Sequence, residues 1–249
     1  ALDLKNVSIL SPNTDKLFKL VYFVPLEYSK STRDAVFAAG AGNIGNYNFV
    51  SYNLIGEGTF MAGKDAKPFI GKKGKLHVEK ETRIEVVVPE QNIKKVVAAL
   101  EKAHPYEEVA YDVYQIYNEN KHVGMGMIGE LEKPVKELDF LNKIKRAFSA
   151  NGIRYTKLLN KPITKVAVCG GSGSFLLNKA IAKKADIFIS ADFKYHQFFD
   201  ADNKIIIADI GHFESEQLTK ELIYDLLIKK FPNFAVRLTE INSNPINYL

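Results

Sequence analysis

The 249-residue chain has a single cysteine, Cys169, so no internal disulfide can form. No stretch approaches about 18 uninterrupted apolar residues, which excludes a membrane-spanning helix. No N-terminal segment pairs a basic start with an apolar run and a small-residue cleavage site. With the lone cysteine, that absence leads to the expectation of a reduced, cytoplasmic compartment. An initiating methionine is also absent; the chain opens Ala1-Leu2-Asp3-Leu4, and the start is expected to be a cut. Neither sign of charge dominates, since 34 basic and 29 acidic side chains leave a formal net charge of +5. With 46% hydrophobic and 25% charged residues, the composition is that of a globular protein and excludes disorder. The length accommodates one large domain or two small ones.

The charge is unevenly placed. Residues 1–120 carry 15 basic and 15 acidic side chains, whereas residues 121–249 carry 19 and 14. Most of the excess lies between Lys133 and Lys165, where nine basic residues face only Glu137 and Asp139. A nucleic-acid surface has this signature, but so does a lysine-rich solvated face. Without aromatic interleaving the solvated face is the preferred reading.

The first half repeats itself at an offset of 64 residues: Val24 matches Val88, Pro25 matches Pro89, Ala35 matches Ala99, Ala39 matches Ala103 and Tyr47 matches Tyr111. Each copy opens with a run of β-branched and aromatic residues that stops at a proline, as a strand does. In the second copy Ile93, Val96, Val97 and Leu100 form one helical stripe, and Pro105 ends the helix. Return strands are expected at Tyr47–Leu54 and Val109–Tyr117. Two such units side by side predict a ferredoxin-like βαββαβ domain over residues 1–130, with Gly56–Gly74 as an excursion. His104-Pro105-Tyr106-Glu107-Glu108 places a histidine near two carboxylates. A helix stop followed by a strand start is the plainer explanation.

From about Val135 the pattern changes. Leu138, Leu141, Ile144 and Phe148 mark a helix closed by Asn151-Gly152, with a strand at Ile153–Leu158. Apolar strands are expected at Lys165–Cys169, Asp186–Ser190, Lys204–Ala208 and Phe234–Leu238. Helices at Ser174–Lys184, Lys194–Ala201 and Phe213–Lys230 separate them. This predicts a largely parallel α/β lobe over residues 131–249.

Ligands in such sheets bind beyond the carboxyl ends of the strands. Three clusters fall there: Gly170-Gly171-Ser172-Gly173-Ser174, Asp192-Phe193-Lys194-Tyr195-His196, and Asp209-Ile210-Gly211-His212-Phe213-Glu214-Ser215-Glu216. His212 and Glu216 stand one helical turn apart, so an imidazole and a carboxylate can converge on one divalent cation: zinc, iron or manganese. Two ligands do not hold a metal, so partners must come from elsewhere. The alternative is a helix N-terminus whose acidic residues the macrodipole favours. Asp192 and His196 share that spacing and are candidates for further ligands, for groups orienting the ligands, or for an acid–base pair; Asp192 is equally readable as a helix cap. The glycine-rich turn has neither the P-loop lysine nor the dinucleotide spacing. Cys169 is expected to be structural.

At these three clusters, and at His104-Pro105-Tyr106-Glu107-Glu108, the sequence resembles the Nif-three-like family, also labelled GTP cyclohydrolase 1 type 2 homologues. The resemblance runs along essentially the whole chain. It implies that the first domain is an insert of CutA/PII-like fold, that the flanking lobes carry a dinuclear metal site, and that members assemble as homohexamers. It assigns His212 and Glu216 as metal ligands. The family's other ligands, adjacent histidines and an aspartate from a preceding lobe, have no counterpart here. The chain alone is therefore expected to hold metal poorly. What the resemblance implies is a metal-dependent hydrolase acting on an unidentified small molecule, with Asp192 and His196 as catalytic candidates. The alternative is an oligomeric regulatory or nucleic-acid-binding assembly protein with a structural metal.

Overall fold

The structure, a computed structural model, describes residues 1–13 and 16–248. In chain order the elements are β1 (Lys5–Asn13), β2 (Leu17–Pro25), α1 (Ser29–Ala38), β3 (Tyr52–Met61), β4 (Leu76–Pro89), α2 (Ile93–Ala103), β5 (Tyr111–Ile116), β6 (Asn120–Val135), α3 (Glu137–Ala147), β7 (Arg154–Tyr155), β8 (Ile163–Ser172), α4 (Leu177–Ala182), β9 (Ile187–Ala191), β10 (Ile206–Asp209), α5 (His212–Glu216) and α6 (Thr219–Lys230). Two compact units result, Asn13–Lys121 and Ala1–Pro12 together with His122–Leu249. Among the described residues, no helix is long and apolar enough to cross a membrane.

In the unit Asn13–Lys121 the sheet order is β3-β4-β2-β5, with every pair antiparallel. This is the order that two neighbouring strand-helix-strand units produce. Alternate residues of β2 (Leu20, Tyr22, Val24) and β4 (Ile84, Val86, Val88) are buried against Val36 of α1 and Val96 and Leu100 of α2. A strand period of two thus meets a helix period of 3.6 across one core. The first return strand starts at Tyr52, not Tyr47, which forms only an isolated bridge with Ile44. It pairs with β4 from Tyr52↔Glu85 to Met61↔Leu76, so Gly56 lies inside an edge strand and the excursion shortens to residues 62–75. His104 closes α2 in an extended conformation. Its Nδ1 accepts the Tyr106 N–H at 3.1 Å, which leaves Nε2 to donate to the Phe23 carbonyl at 2.9 Å. The ring is therefore a structural tie between α2 and β2, and burial lowers its pKa.

The other unit is built on a six-stranded sheet in the order β1-β6-β8-β9-β10-β7. Strands β8, β9 and β10 are parallel neighbours, whereas β6 and β7 join antiparallel. The sheet is thus mixed where a largely parallel one was expected. Side chains of the parallel strands alternate between two cores. Ala167, Phe188 and Ile207 face α4, while Val166, Ile187, Ile189 and Ile206 face Phe140, Leu141 and Ile144 of α3. Leu138 stays 53% exposed because Phe140 takes its place in the core.

The remaining differences have local causes. The expected boundary at 130/131 falls inside β6, and β1 pairs with that strand, so residues from both sides of the boundary share one sheet. The helix expected at Ser174–Lys184 is a 3-10 turn followed by α4. The helix expected at Lys194–Ala201 is 3-10 over Tyr195–Ala201, and that at Phe213–Lys230 is divided into α5 and α6. Phe234–Leu238 forms no strand; the outer edge of β10 is already occupied by β7, and Phe234 is 73% exposed.

Asp186 staples the start of β9 to β8. Its Oδ2 accepts the Thr164 N–H at 2.8 Å, the Thr164 hydroxyl at 2.7 Å and the Lys165 N–H at 2.8 Å, and Lys161 lies 3.0 Å from Oδ1. Burial pushes its pKa up, but these hydrogen bonds outweigh burial and hold it below the usual range. Asp186→Ala is expected to lower the unfolding free energy by about 2–3 kcal/mol at neutral pH. A depressed carboxylate stabilises above its unfolded pKa, and that contribution is lost as pH falls through the folded one. Urea unfolding of chain and variant should therefore converge in acid; an equal gap at neutral and strongly acidic pH contradicts the assignment.

Candidate metal centre

The parallel strands β8, β9 and β10 end on one rim, and the three expected clusters meet there. The Gly171 N–H donates to Ser215 Oγ at 2.8 Å, and the Gly173 N–H to Ser190 Oγ at 3.0 Å. The loop after β8 is thereby tied to α5 and to β9. These two N–H donors are spent internally, so the glycine-rich turn does not present them to an anion.

Asp209, at the end of β10, is 4% exposed. One oxygen accepts the Phe193 N–H at 3.0 Å and the other the Gly211 N–H at 3.2 Å. The Arg154 guanidinium of β7 also bonds it, and reaches the Phe193 carbonyl at 3.0 Å. One buried carboxylate thus fixes the loop carrying Asp192 and the loop carrying His212. In the sequence the signal for Asp209 is a carboxylate that closes the apolar run Ile205–Ala208. Arg154 gave no signal.

Asp192 adopts a left-handed conformation, φ 59°, which only a minority of non-glycine residues take, aspartate among the more tolerant. Its carboxylate lies 2.5 Å from Nδ1 of His212, the first residue of α5. On the other side of the ring, Nε2 is 3.4 Å from Oε2 of Glu216. The hydrogen bond that His212 donates to Asp192 raises the His212 pKa; slight burial opposes it, and the charges of Asp192 and Glu216 add to it. Gly171 makes room for this group, since a Cβ there would lie 2.4 Å from Oε1 of Glu216. Beside His212 and Glu216 a cleft of about 540 Å³ is lined by Gln217, Lys220 and Asn244.

His196 does not join this group. The expected one-turn relation to Asp192 needs an α-helix, but Asp192 precedes a 3-10 segment and caps nothing; Lys194 takes the cap position. The His196 ring is exposed and meets Tyr195 edge-on at 5.4 Å. Cys169 packs against the core, and burial followed by the Glu216 charge raises its pKa, which fits a structural thiol. His212 and Glu216 can supply two metal donors. Among the described residues no three His, Cys, Asp or Glu side chains form a metal-holding group.

Residues 1–245 match the family model described as Duf34/NIF3 (NGG1p interacting factor 3). The chain is 39% identical over 254 residues to a Halalkalibacterium halodurans protein and 35% identical over 255 residues to one from Bacillus subtilis. Both are named GTP cyclohydrolase 1 type 2 homolog, and each match covers all of this chain and 68% of the relative. A solved Bacillus cereus protein related to NIF3 superposes over 100% of this chain and 67% of its own, with TM-score 0.80 and 32% identity. With a family match along nearly its full length and relatives this similar, the chain belongs to the Duf34/NIF3 family.

Proposed function

We propose that His212 and Glu216 bind a divalent cation, zinc, iron or manganese, in a metal-dependent hydrolase. The observation that carries this reading is the orientation of the His212 ring. Asp192 occupies Nδ1, so the hydrogen there is donated to a carboxylate and Nε2 is turned toward Glu216. Metal-ligating histidines are held by a carboxylate in this way. The 3.4 Å between Nε2 and Oε2 is close to the roughly 3.4 Å edge between tetrahedral ligands at about 2.0–2.1 Å from zinc. A bound divalent cation supplies Lewis acidity and an acidified water. Asp192 then acts as the group that positions His212. His196 enters only as a candidate proton-transfer group near the same rim. Gln217, Lys220 and Asn244 line the cleft a small-molecule substrate would enter.

The relatives' name suggests a guanine nucleotide, but no group beside His212 is specific for guanine. A cytoplasmic homohexamer with a CutA/PII-like insert belongs to the same proposal. The second reading, a nucleic-acid-binding assembly protein, is weakened because part of the basic stretch is already neutralised. Lys143, Arg154, Lys161 and Lys165 within it each have a carboxylate partner.

Because only two donors converge among the described residues, elemental analysis of the purified chain is expected to return fewer than two chelator-resistant ions per chain. In zinc and manganese titrations, His212→Ala and Glu216→Ala should each weaken binding by about tenfold or more. Unchanged affinity in either variant removes that ligand.

The proton and the metal compete for His212 Nε2. Because its pKa is raised, metal affinity should fall as pH drops through that raised value. Asp192→Asn should bring the His212 pKa, followed by NMR, back toward its ordinary range and weaken metal binding by about 10–100-fold. A His212 titration that does not move in this variant overturns the positioning role of Asp192.

A further inference from the structure

The unit Asn13–Lys121 contains a cavity of about 630 Å³ that shares no residue with the metal proposal. It takes in the Tyr106-Glu107-Glu108 part of the motif that the proposed function leaves unused. The aromatic rings of Phe60, Phe69 and Tyr106 wall it, with both phenylalanine centroids 6.2 Å from that of Tyr106. Tyr106 is held in place through its neighbour, since its N–H is bonded to His104, which is itself tied to β2.

The charge on the lining is one-sided. Glu57, Glu81, Glu107 and Glu108 face a single cation, Arg83. Arg83 is already engaged by Glu85, at 2.9 Å and outside the cavity, and Glu107 accepts the Lys67 N–H at 2.6 Å. Among the described residues Glu81 has no ion-pair partner, and the Tyr106 hydroxyl beside it gives only partial relief. Its cross-strand partners on β2 and β3 are Pro25 and Gly56, neither of them charged. The carboxylate folds over Gly58, where a Cβ would lie 2.2 Å from Oε2, so any larger residue would displace it. The buried Tyr106 hydroxyl has no hydrogen-bond partner of proper geometry.

We propose that this cavity binds an organic cation, an ammonium or amidinium group on an apolar body, with the charge at Glu81 and the Tyr106 hydroxyl and the body between Phe60 and Phe69. Aromatic faces attract cations, and a desolvated carboxylate gains most from a cation that pairs with it. Burial raises the Glu81 pKa, an effect that the neighbouring Tyr106 hydroxyl offsets in part and the Glu79 charge reinforces. A cation at this point replaces the hydration that Glu81 has lost. The hydroxyl gains an acceptor when Glu81 is turned toward the ligand, or a ligand group of its own. Four carboxylates against one engaged guanidinium disfavour an anionic ligand, and the aromatic walls disfavour a hydrated metal ion.

The test uses three probes of one shape and different charge, namely benzamidine, benzamide and benzoate, titrated into the 249-residue chain at neutral pH. Calorimetry and amide shifts should show benzamidine binding at least tenfold tighter than benzamide, with benzoate undetected and shifts confined to β3, β4 and the 62–69 and 104–110 segments that line the cavity. Glu81→Gln should remove the preference for benzamidine over benzamide, Glu81→Asp should keep it, and Glu101→Gln, an exposed carboxylate outside the cavity, should leave it unchanged. Tyr106→Phe should weaken benzamidine severalfold. Equal affinity for benzamidine and benzamide would make this an apolar cavity only and overturn the proposal. So would no binding at about 10 mM benzamidine, displacement of benzamidine by magnesium or zinc chloride, or an unaltered preference in Glu81→Gln. If Glu81→Gln does not fold, the comparison of the three probes on the unsubstituted chain decides alone.

Discussion

The candidate centre depends on one buried carboxylate. Asp209 ends a strand whose preceding residues, Ile205–Ala208, are all fully buried, so its charge is delivered to the interior margin of the sheet with no water to meet it. Such a group persists only if hydrogen bonds replace its hydration. The Phe193 and Gly211 N–H groups and the Arg154 guanidinium supply them. Arg154 is 62% exposed at its side chain, whereas the two N–H groups belong to the backbone just beyond β9 and β10. The backbone donors therefore hold the carboxylate, and through it each other. Leaving a buried charged group without one of its hydrogen-bond donors costs about 1–3 kcal/mol or more, so neither loop can leave without disturbing the other.

That shared anchor explains how an exposed site can be well ordered. Asp192 and His212 are about half exposed and twenty residues apart, and a surface ion pair between such side chains contributes little by itself. Their contact is set by the backbone beneath them. Phe193, next to Asp192, and Gly211, next to His212, both bond to Asp209. The left-handed conformation of Asp192 is held by this anchoring, since the next residue, Phe193, is bonded to Asp209.

Sequence patterns expose what is local and strongly periodic. The repeated strand-helix units were legible because β2, β4 and α2 bury one face at their natural periods. The three parallel strands were legible because apolar runs such as Ile187–Ala191 are buried on both faces. The one-turn spacing of His212 and Glu216 was legible because α5 is a helix. Strand β6 was hidden because Gly124, Gly126 and Gly129 interrupt its alternation. The Asp192–His196 spacing misled because a left-handed residue precedes a 3-10 segment. The actual partner of Asp192 is His212, brought to it by the single crossover between the parallel neighbours β9 and β10 and by the Asp209 anchor. Such long-range pairing leaves no periodic trace, and neither does Arg154, whose role arises from β7 pairing antiparallel with β10.

Two of the histidines that stand near carboxylates in the sequence, His104 and His212, show how differently such neighbours act. His104 precedes Glu107 and Glu108, yet neither glutamate is its partner. It is 7% exposed, its nitrogens serve the Tyr106 N–H and the Phe23 carbonyl, and burial lowers its pKa. Its Nδ1 lone pair is occupied by a backbone donor, and its Nε2 hydrogen is committed to a carbonyl, so no nitrogen is free for a ligand. His212 is open to solvent on one side and flanked by carboxylates, which raise its pKa. Its Nε2 position therefore carries a proton more readily, and for the same electrostatic reason suits a metal cation once that proton leaves. Neighbouring carboxylates in the sequence were common to both residues. The difference lies in the direction of charge stabilisation: the surroundings of His104 favour a neutral ring, whereas those of His212 favour positive charge beside Nε2.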